Sequence, residues 1–269
     1  LVDVLTRLEE ESIFPENEDT LVSKLQSKII NLVRILKNKN TKSLEEQENI
    51  KALVSDISHQ LKTPIANLIM YTDFLSDPSI TERQRIEYID IIRISVERLN
   101  FLSESMIKVS RLESGLIQLH PLKQTINETA LIAIKNIFVK AREKNIEVKF
   151  IEEGSIKLSH DRNWTSEAIF NLLDNAVKYS LPNRAVTLTI KSFGMFVAIE
   201  LADENAMISE AEQTRIFQRF YRGKNSANIK GIGVGLYLSR EIAIKQGGYM
   251  TLSCSPNGNT FRMFLPIDT

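Results

Sequence analysis

Cysteine, histidine and net charge are all scarce in this 269-residue chain. Its one cysteine, Cys254, cannot close an internal disulfide, so the sequence points to a reducing compartment. The three histidines, His59, His120 and His160, are far apart and lack cysteine partners, which argues against a zinc site. Lys plus Arg and Asp plus Glu number 34 each. Without a basic excess, no nucleic-acid partner is expected. No apolar run reaches the roughly 18 residues of a membrane span, and no signal peptide is visible. Membrane contact is therefore not expected within this fragment. The sequence starts at Leu1 rather than methionine, and an upstream membrane anchor or sensor is expected. Glycine is missing from the first 114 residues: the first is Gly115, and the other nine follow it.

What is present fits two domains. Apolar residues make up 43% of the chain, enough for a packed core. The glycine-free stretch is rich in Leu, Ile, Glu, Lys and Arg, which favours long helices. Residues 1–42 read as a helical linker interrupted at Pro15. From about 43 to 76, Leu53, Ile57, Leu61, Ile65, Leu68 and Leu75 mark one helix face, and Asp77-Pro78-Ser79 ends it. Thr81 looks like the N-cap of a second helix to about 112, striped by Ile86, Ile89, Ile92, Val96, Leu99, Leu102, Met106 and Val109. A two-helix hairpin cannot bury both stripes alone, so a homodimeric four-helix bundle is expected. After Gly115 the pattern changes to α+β. Strands are expected at 116–126, 146–151, 185–192, 195–202, 249–254 and 260–265. Helices are expected at 127–144, 162–179 and 233–246, with a long polar lid over 204–230.

His59 lies two residues beyond the stripe position Ile57, about 200° around the helix and toward solvent. A neutral imidazole offers a nucleophilic nitrogen at physiological pH. Alone, it reads equally as a surface histidine on a coiled coil. The string Ser58-His59-Gln60-Leu61-Lys62-Thr63-Pro64 resembles the H-box of sensor histidine kinases, and the hairpin resembles their dimerisation and phosphotransfer domain. The resemblance implies that His59 receives the γ-phosphoryl group of ATP and passes it to an aspartate of a response-regulator receiver domain. Thr63, one turn on, matches the position that orients water for dephosphorylating the regulator. In the family an acidic residue usually follows the histidine, whereas Gln60 stands here. Its carbonyl can hydrogen-bond the ring and fix its tautomer but is a poor base. Slowed autophosphorylation is therefore expected.

Farther on, Asn171, Asn175 and Lys178 share one face of a helix, with Tyr179 following. Amide oxygens suit Mg²⁺ and a lysine suits phosphate. The run resembles the N-box of Bergerat-fold ATPases. By that match Asn171 and Asn175 hold Mg²⁺, Lys178 touches phosphate and Tyr179 packs by the nucleotide. Asp203 and Ile208 match the ends of the family's Asp-x-Gly-x-Gly-Ile pattern, where the aspartate binds the adenine amino group. Asn205 and Met207 replace both glycines. Methionine tolerates left-handed backbone poorly, so weakened nucleotide affinity is expected. Residues Ile216–Gly223 resemble the F-box: aromatics would anchor the lid, while Arg219, Arg222 or Lys224 would reach phosphates. Gly231, Gly233, Gly235 and Leu236 open the last long helix in the order of the G2-box, where glycine lets backbone amides approach phosphate. There is no Gly-x-x-x-x-Gly-Lys-Ser/Thr loop and no His-Arg-Asp or Asp-Phe-Gly triad, which disfavours P-loop and Ser/Thr/Tyr kinases.

The sequence is accordingly expected to hold a helical linker (1–42), an all-α dimerisation and histidine phosphotransfer domain (43–114) and an α+β Bergerat ATP-binding domain (115–269). The expected activity is ATP-dependent, Mg²⁺-assisted autophosphorylation on His59 followed by transfer to a response regulator. The location implied is the cytoplasmic portion of a membrane-anchored bacterial sensor kinase. Two alternatives stay open: a phosphatase of its regulator acting through Thr63, and a non-enzymatic dimeric scaffold with a vestigial nucleotide domain.

Overall fold

The computed structural model describes residues 51, 54–113, 119–223, 229 and 231–267. The expected 1–42 linker, the start of the first helix, residues 116–118 and Lys224 lie outside these. The chain divides into two compact units, one ending at Ala66 and the other beginning at Asn67. Helix α1 covers 54–75. In the first unit its described part leaves His59 exposed and Pro64 buried, and Ser58 Oγ donates to the Val54 carbonyl at 2.8 Å.

In the second unit the end of α1 is followed by a turn that its sequence dictates. Asp77 Oδ1 accepts from the backbone and hydroxyl of Ser79, at 2.8 and 2.7 Å. Thr81 and Gln84 then satisfy each other's backbone amides: Gln84 N donates to Thr81 Oγ1 at 3.3 Å, and Thr81 N to Gln84 Oε1 at 2.9 Å. This reciprocal cap starts helix α2, Glu82–Glu113, at the expected place. Tyr71, Phe74 and Tyr88 pack ring to ring across the turn, with centroids 5.3–5.8 Å apart.

Beyond residue 119 the elements are β1 (Leu122–Thr125), α3 (Ile126–Glu143), β2 (Glu147–Glu152), β3 (Lys157–His160), α4 (Arg162–Tyr179), β4 (Ala185–Phe193) and β5 (Phe196–Asp203). They are followed by α5 (Glu210–Gln213), a 3₁₀ turn (Arg215–Phe217), α6 (Gly235–Lys245), β6 (Tyr249–Ser255) and β7 (Gly258–Pro266). Five strands form one sheet in the order β2-β4-β5-β7-β6, parallel only between β2 and β4. Alternation along the strands sends Val186, Leu188, Ile190, Ile199, Leu201 and Met263 into one core with Ile137, Ile169, Leu172, Leu173 and Ile242 of the helices. The opposite face carries charge: Glu200 bonds Arg262 at 2.7 Å and Lys191 at 3.0 Å.

Two sequence expectations need revision. The strand expected over 116–126 is limited, among described residues, to Leu122–Thr125. Its partner β3 was not anticipated, because four residues between turns give too little alternation to read. β3 delivers His160 into the core, where Nδ1 bonds the Leu158 carbonyl (3.1 Å) and Nε2 lies 2.7 Å from Thr129 Oγ1. Burial holds this imidazole below the ordinary histidine value. The next residue, Asp161, caps α4 by accepting from Asn163 N (3.0 Å) and Trp164 N (3.1 Å).

Candidate functional site

Helix α4 is fastened at both ends. At its C-terminus the Lys144 ammonium donates to the carbonyls of Val177 (3.1 Å), Lys178 (2.7 Å) and Ser180 (3.3 Å), a favourable cation at the negative end of a helix. One face of α4 is thereby presented to a cleft of about 400 Å³. Asn171, Asn175, Lys178 and Tyr179 line this cleft, as do Asp203, Ile208, Arg222, Gly231, Gly233, Gly235 and Leu236. These residues singled out in the sequence are therefore brought to one place, whereas Arg219 is not among the lining residues and Lys224 lies outside the described ones.

Asp203 ends β5 and is 7% exposed. Its Oδ1 accepts from Asn205 N (3.0 Å), Asn259 N (3.2 Å) and Asn259 Nδ2 (3.2 Å). Burial pushes its carboxyl above the ordinary value despite these donors. Three donors thus converge on Oδ1. Asn259 also donates to the Ala206 carbonyl (3.0 Å) and accepts from Ile208 N (3.1 Å). Asn205 reaches the other way, donating to the Ala176 carbonyl (3.2 Å) and accepting from the Ser180 hydroxyl (2.9 Å).

These bonds account for the missing glycines. Neither Asn205 nor Met207 takes a positive φ; among the described residues Asn145, Asn183 and Phe220 are the non-glycine residues that do. Side-chain amides hold the 203–208 loop in a conformation open to ordinary residues, and Met207 is exposed. The expected incompatibility of methionine with the backbone is absent. Asn259 escaped the sequence reading because the β5–β7 register, with Ala202 opposite Thr260, is what places it beside Asp203.

The glycine segment does two jobs. Gly233 has φ +76°, and a Cβ there would sit 2.3 Å from the Tyr221 carbonyl oxygen, so close approach of the lid dictates this glycine. At Gly231 a Cβ would lie 3.9 Å from Lys178 Nζ, and at Gly235 one would lie 3.5 Å from Asn171 Oδ1. The N-terminus of α6 has no side-chain cap, which leaves its first amides for an anion. Arg222 donates to the Ile229 carbonyl at 2.6 Å.

The donors a metal would meet in the cleft lie on α4. Among described residues no group of three His, Cys, Asp or Glu side chains converges, so an all-carboxylate cage is absent. Asn171 Nδ2 is buried with no hydrogen-bond partner, so no bond from this nitrogen fixes which way the amide faces. The amide oxygens of Asn171 and Asn175, one turn apart on α4, are hard donors of the kind that fit Mg²⁺, which takes few protein ligands and shares phosphate oxygens and water. His59, Gln60 and Thr63 belong to the first unit; His59 and Thr63 are exposed there and Gln60 is half-buried.

Known proteins match the same two regions. Residues 49–115 match the His Kinase A (phospho-acceptor) domain, and residues 160–269 match the histidine kinase-, DNA gyrase B- and HSP90-like ATPases. The histidine protein kinase SaeS of Staphylococcus aureus is 31% identical over 216 residues, covering 77% of this chain and 61% of SaeS. The chain belongs to the sensor histidine kinases. Another such kinase, YcbM of Bacillus subtilis, is 24% identical over 243 residues, covering 88% of this chain and 78% of its own length. Two solved histidine kinases share the fold. Acinetobacter baumannii AdeS has a TM-score of 0.62 and 16% identity, covering 78% of this chain and 98% of that one. ThkA, solved with the response regulator TrrA, has a TM-score of 0.66 and 20% identity, covering 86% and 66%. The ATPase match implies ATP binding by this sensor kinase's second unit.

Proposed function

We propose that the chain is an ATP-dependent protein-histidine kinase that phosphorylates its own His59 and passes the phosphoryl group to an aspartate of a response-regulator receiver domain. The observation that carries this reading is the convergence of Asn171, Asn175, Lys178, Asp203 and the glycine segment on one cleft. It is supported by a phospho-acceptor family match spanning an exposed His59. Asp203 Oδ2 accepts the adenine amino group, and the amide oxygens of Asn171 and Asn175 hold Mg²⁺, which when bound neutralises phosphate charge. Lys178 and the open amides of α6 take the remaining phosphate oxygens. An imidazole nitrogen of His59 attacks the γ-phosphorus through its lone pair, the bond to the β–γ bridging oxygen breaks, and ADP leaves. The proton on the other ring nitrogen passes to water, because the Gln60 carbonyl accepts a hydrogen bond but not a proton. Positioning and charge neutralisation supply most of the acceleration.

Residues 1–42 would then form the linker, 43–114 the dimerisation and phosphotransfer domain, and 115–269 the catalytic domain. Dimerisation is supported by the exposed Ile86, Ile89 and Val96 on α2. Among described residues no helix is long and apolar enough to cross a membrane. We place this stretch in the cytoplasm, downstream of a membrane anchor. Thr63, exposed one turn beyond His59, supports a second activity, hydrolysis of the regulator's aspartyl phosphate.

Radiolabelled ATP tests the core reading. Wild type acquires an acid-labile, base-stable label and His59→Gln does not; a label that persists in the variant overturns the assignment. Loss of regulator dephosphorylation in Thr63→Ala, with autophosphorylation kept, separates the second activity from the first.

A further inference from the structure

In the structure Lys178, the phosphate ligand of the reading above, is occupied. Its ammonium pairs with Asp174 Oδ2 one turn back on α4. Asp174 is buried, its side chain 12% exposed, and it holds a second cation: Lys140 of α3 meets Oδ1 at 2.8 Å. The Lys140 ammonium also sits 5.3 Å from the centroid of the Phe170 ring, which fixes it over the same turn of α4. For Lys178 to meet a phosphate it must leave the carboxylate. Stripping a buried carboxylate of its only cation costs heavily, because an unpaired charge in a low dielectric loses its compensation. Here a second cation remains. The reach needed is short, since the Lys178 ammonium already lies 3.9 Å from where a Cβ on Gly231 would stand.

We propose that Lys140 is a positioning residue for phosphate capture: by neutralising Asp174 it frees Lys178 for the nucleotide's phosphates without touching the nucleotide itself. The lysines thus divide the labour, one balancing the carboxylate and the other moving between carboxylate and ligand. Removing Lys140 leaves Asp174 with a single cation and locks Lys178 onto it. Removing the Asp174 charge makes Lys140 dispensable.

The inference rests on the nucleotide-site reading, and calorimetry separates the two. Wild type, Lys140→Met, Asp174→Asn and the double variant are titrated with ADP in Mg²⁺ and with adenosine. Methionine keeps the apolar stem over Phe170. Lys140→Met is expected to bind ADP roughly tenfold more weakly. Adenosine, which has no phosphate, is expected to bind it as it binds wild type. In the Asp174→Asn background the Lys140 substitution is expected to change nothing. A tenfold ADP loss that persists in that background means that Lys140 contacts phosphate directly and overturns the proposal. So does ADP affinity in Lys140→Met equal to wild type, or a parallel loss of adenosine, which marks a general structural effect. Wild type that binds no ADP overturns the nucleotide-site reading and this inference together.

Discussion

In the proposed reading, Asp203 sets base recognition against stability within one side chain. An acid whose folded value lies above its unfolded one holds its proton more readily in the folded state. It therefore stabilises the fold only at low pH, and that contribution is lost as pH rises from the ordinary carboxyl value of 3.8 through the raised one. Once ionised, the buried carboxylate weakens the fold, and in the proposed reading this same group is the one that accepts from the adenine. Asp203→Asn keeps an oxygen for the three donors on Oδ1 and replaces the other oxygen with a donor. The variant is expected to melt at the same temperature as wild type or a few degrees higher, about 2–4 °C for each kcal/mol regained. ADP is expected to give it no further rise. Thermal melts at pH 7 with and without ADP decide this, and a lower melting point with ADP stabilisation retained would refute it.

At the scale of elements, the lid and the glycine segment meet so closely that a Cβ on Gly233 would lie 2.3 Å from the Tyr221 carbonyl oxygen. Phe220 takes φ 58°, a conformation that costs a bulky residue about 1–2 kcal/mol. The lid holds it there by passing its carbonyls against Gly233. Gly233→Ala is expected to destabilise by roughly 2–3 kcal/mol, through the clash with Tyr221 O and the left-handed φ, and to displace the lid. Denaturant midpoints check the first effect and nucleotide titration the second; an unchanged midpoint would count against it. The same elements show what the sequence made legible. Helix α4 could be read to its ends, since Asp161 is a strong cap and Asn171, Asn175 and Lys178 are locally spaced. The α2 start was equally readable from Thr81. What escaped detection was long-range: Asn259 depends on strand register, and the pairing of Lys140 with Asp174 spans 34 residues between two helices. The concern over Met207 failed for a related reason, because the bonds that replace the glycines come from residues distant in sequence.

At the scale of the whole molecule, the apolar residues on α2 ask for a second copy. Ile86, Ile89 and Val96 are each more than half exposed in the single chain. Burying a side chain of this size contributes about 1.5–3 kcal/mol, and a two-fold interface counts each residue twice. Ile89→Glu is expected to turn a dimer into a monomer in sedimentation while leaving the ADP affinity of the second unit intact; a variant that stays dimeric at micromolar concentration would contradict it. The second unit also has its own gradation of persistence. Helix α4 is closed by Asp161 at one end and by Lys144 and Asn205 at the other, so neither terminus offers a place for fraying to begin. In hydrogen–deuterium exchange its amides should outlast those of the 204–223 lid by orders of magnitude in time. The nucleotide would then come and go across a surface in which one wall keeps its shape for as long as the domain stays folded, and only the opposite wall opens and closes.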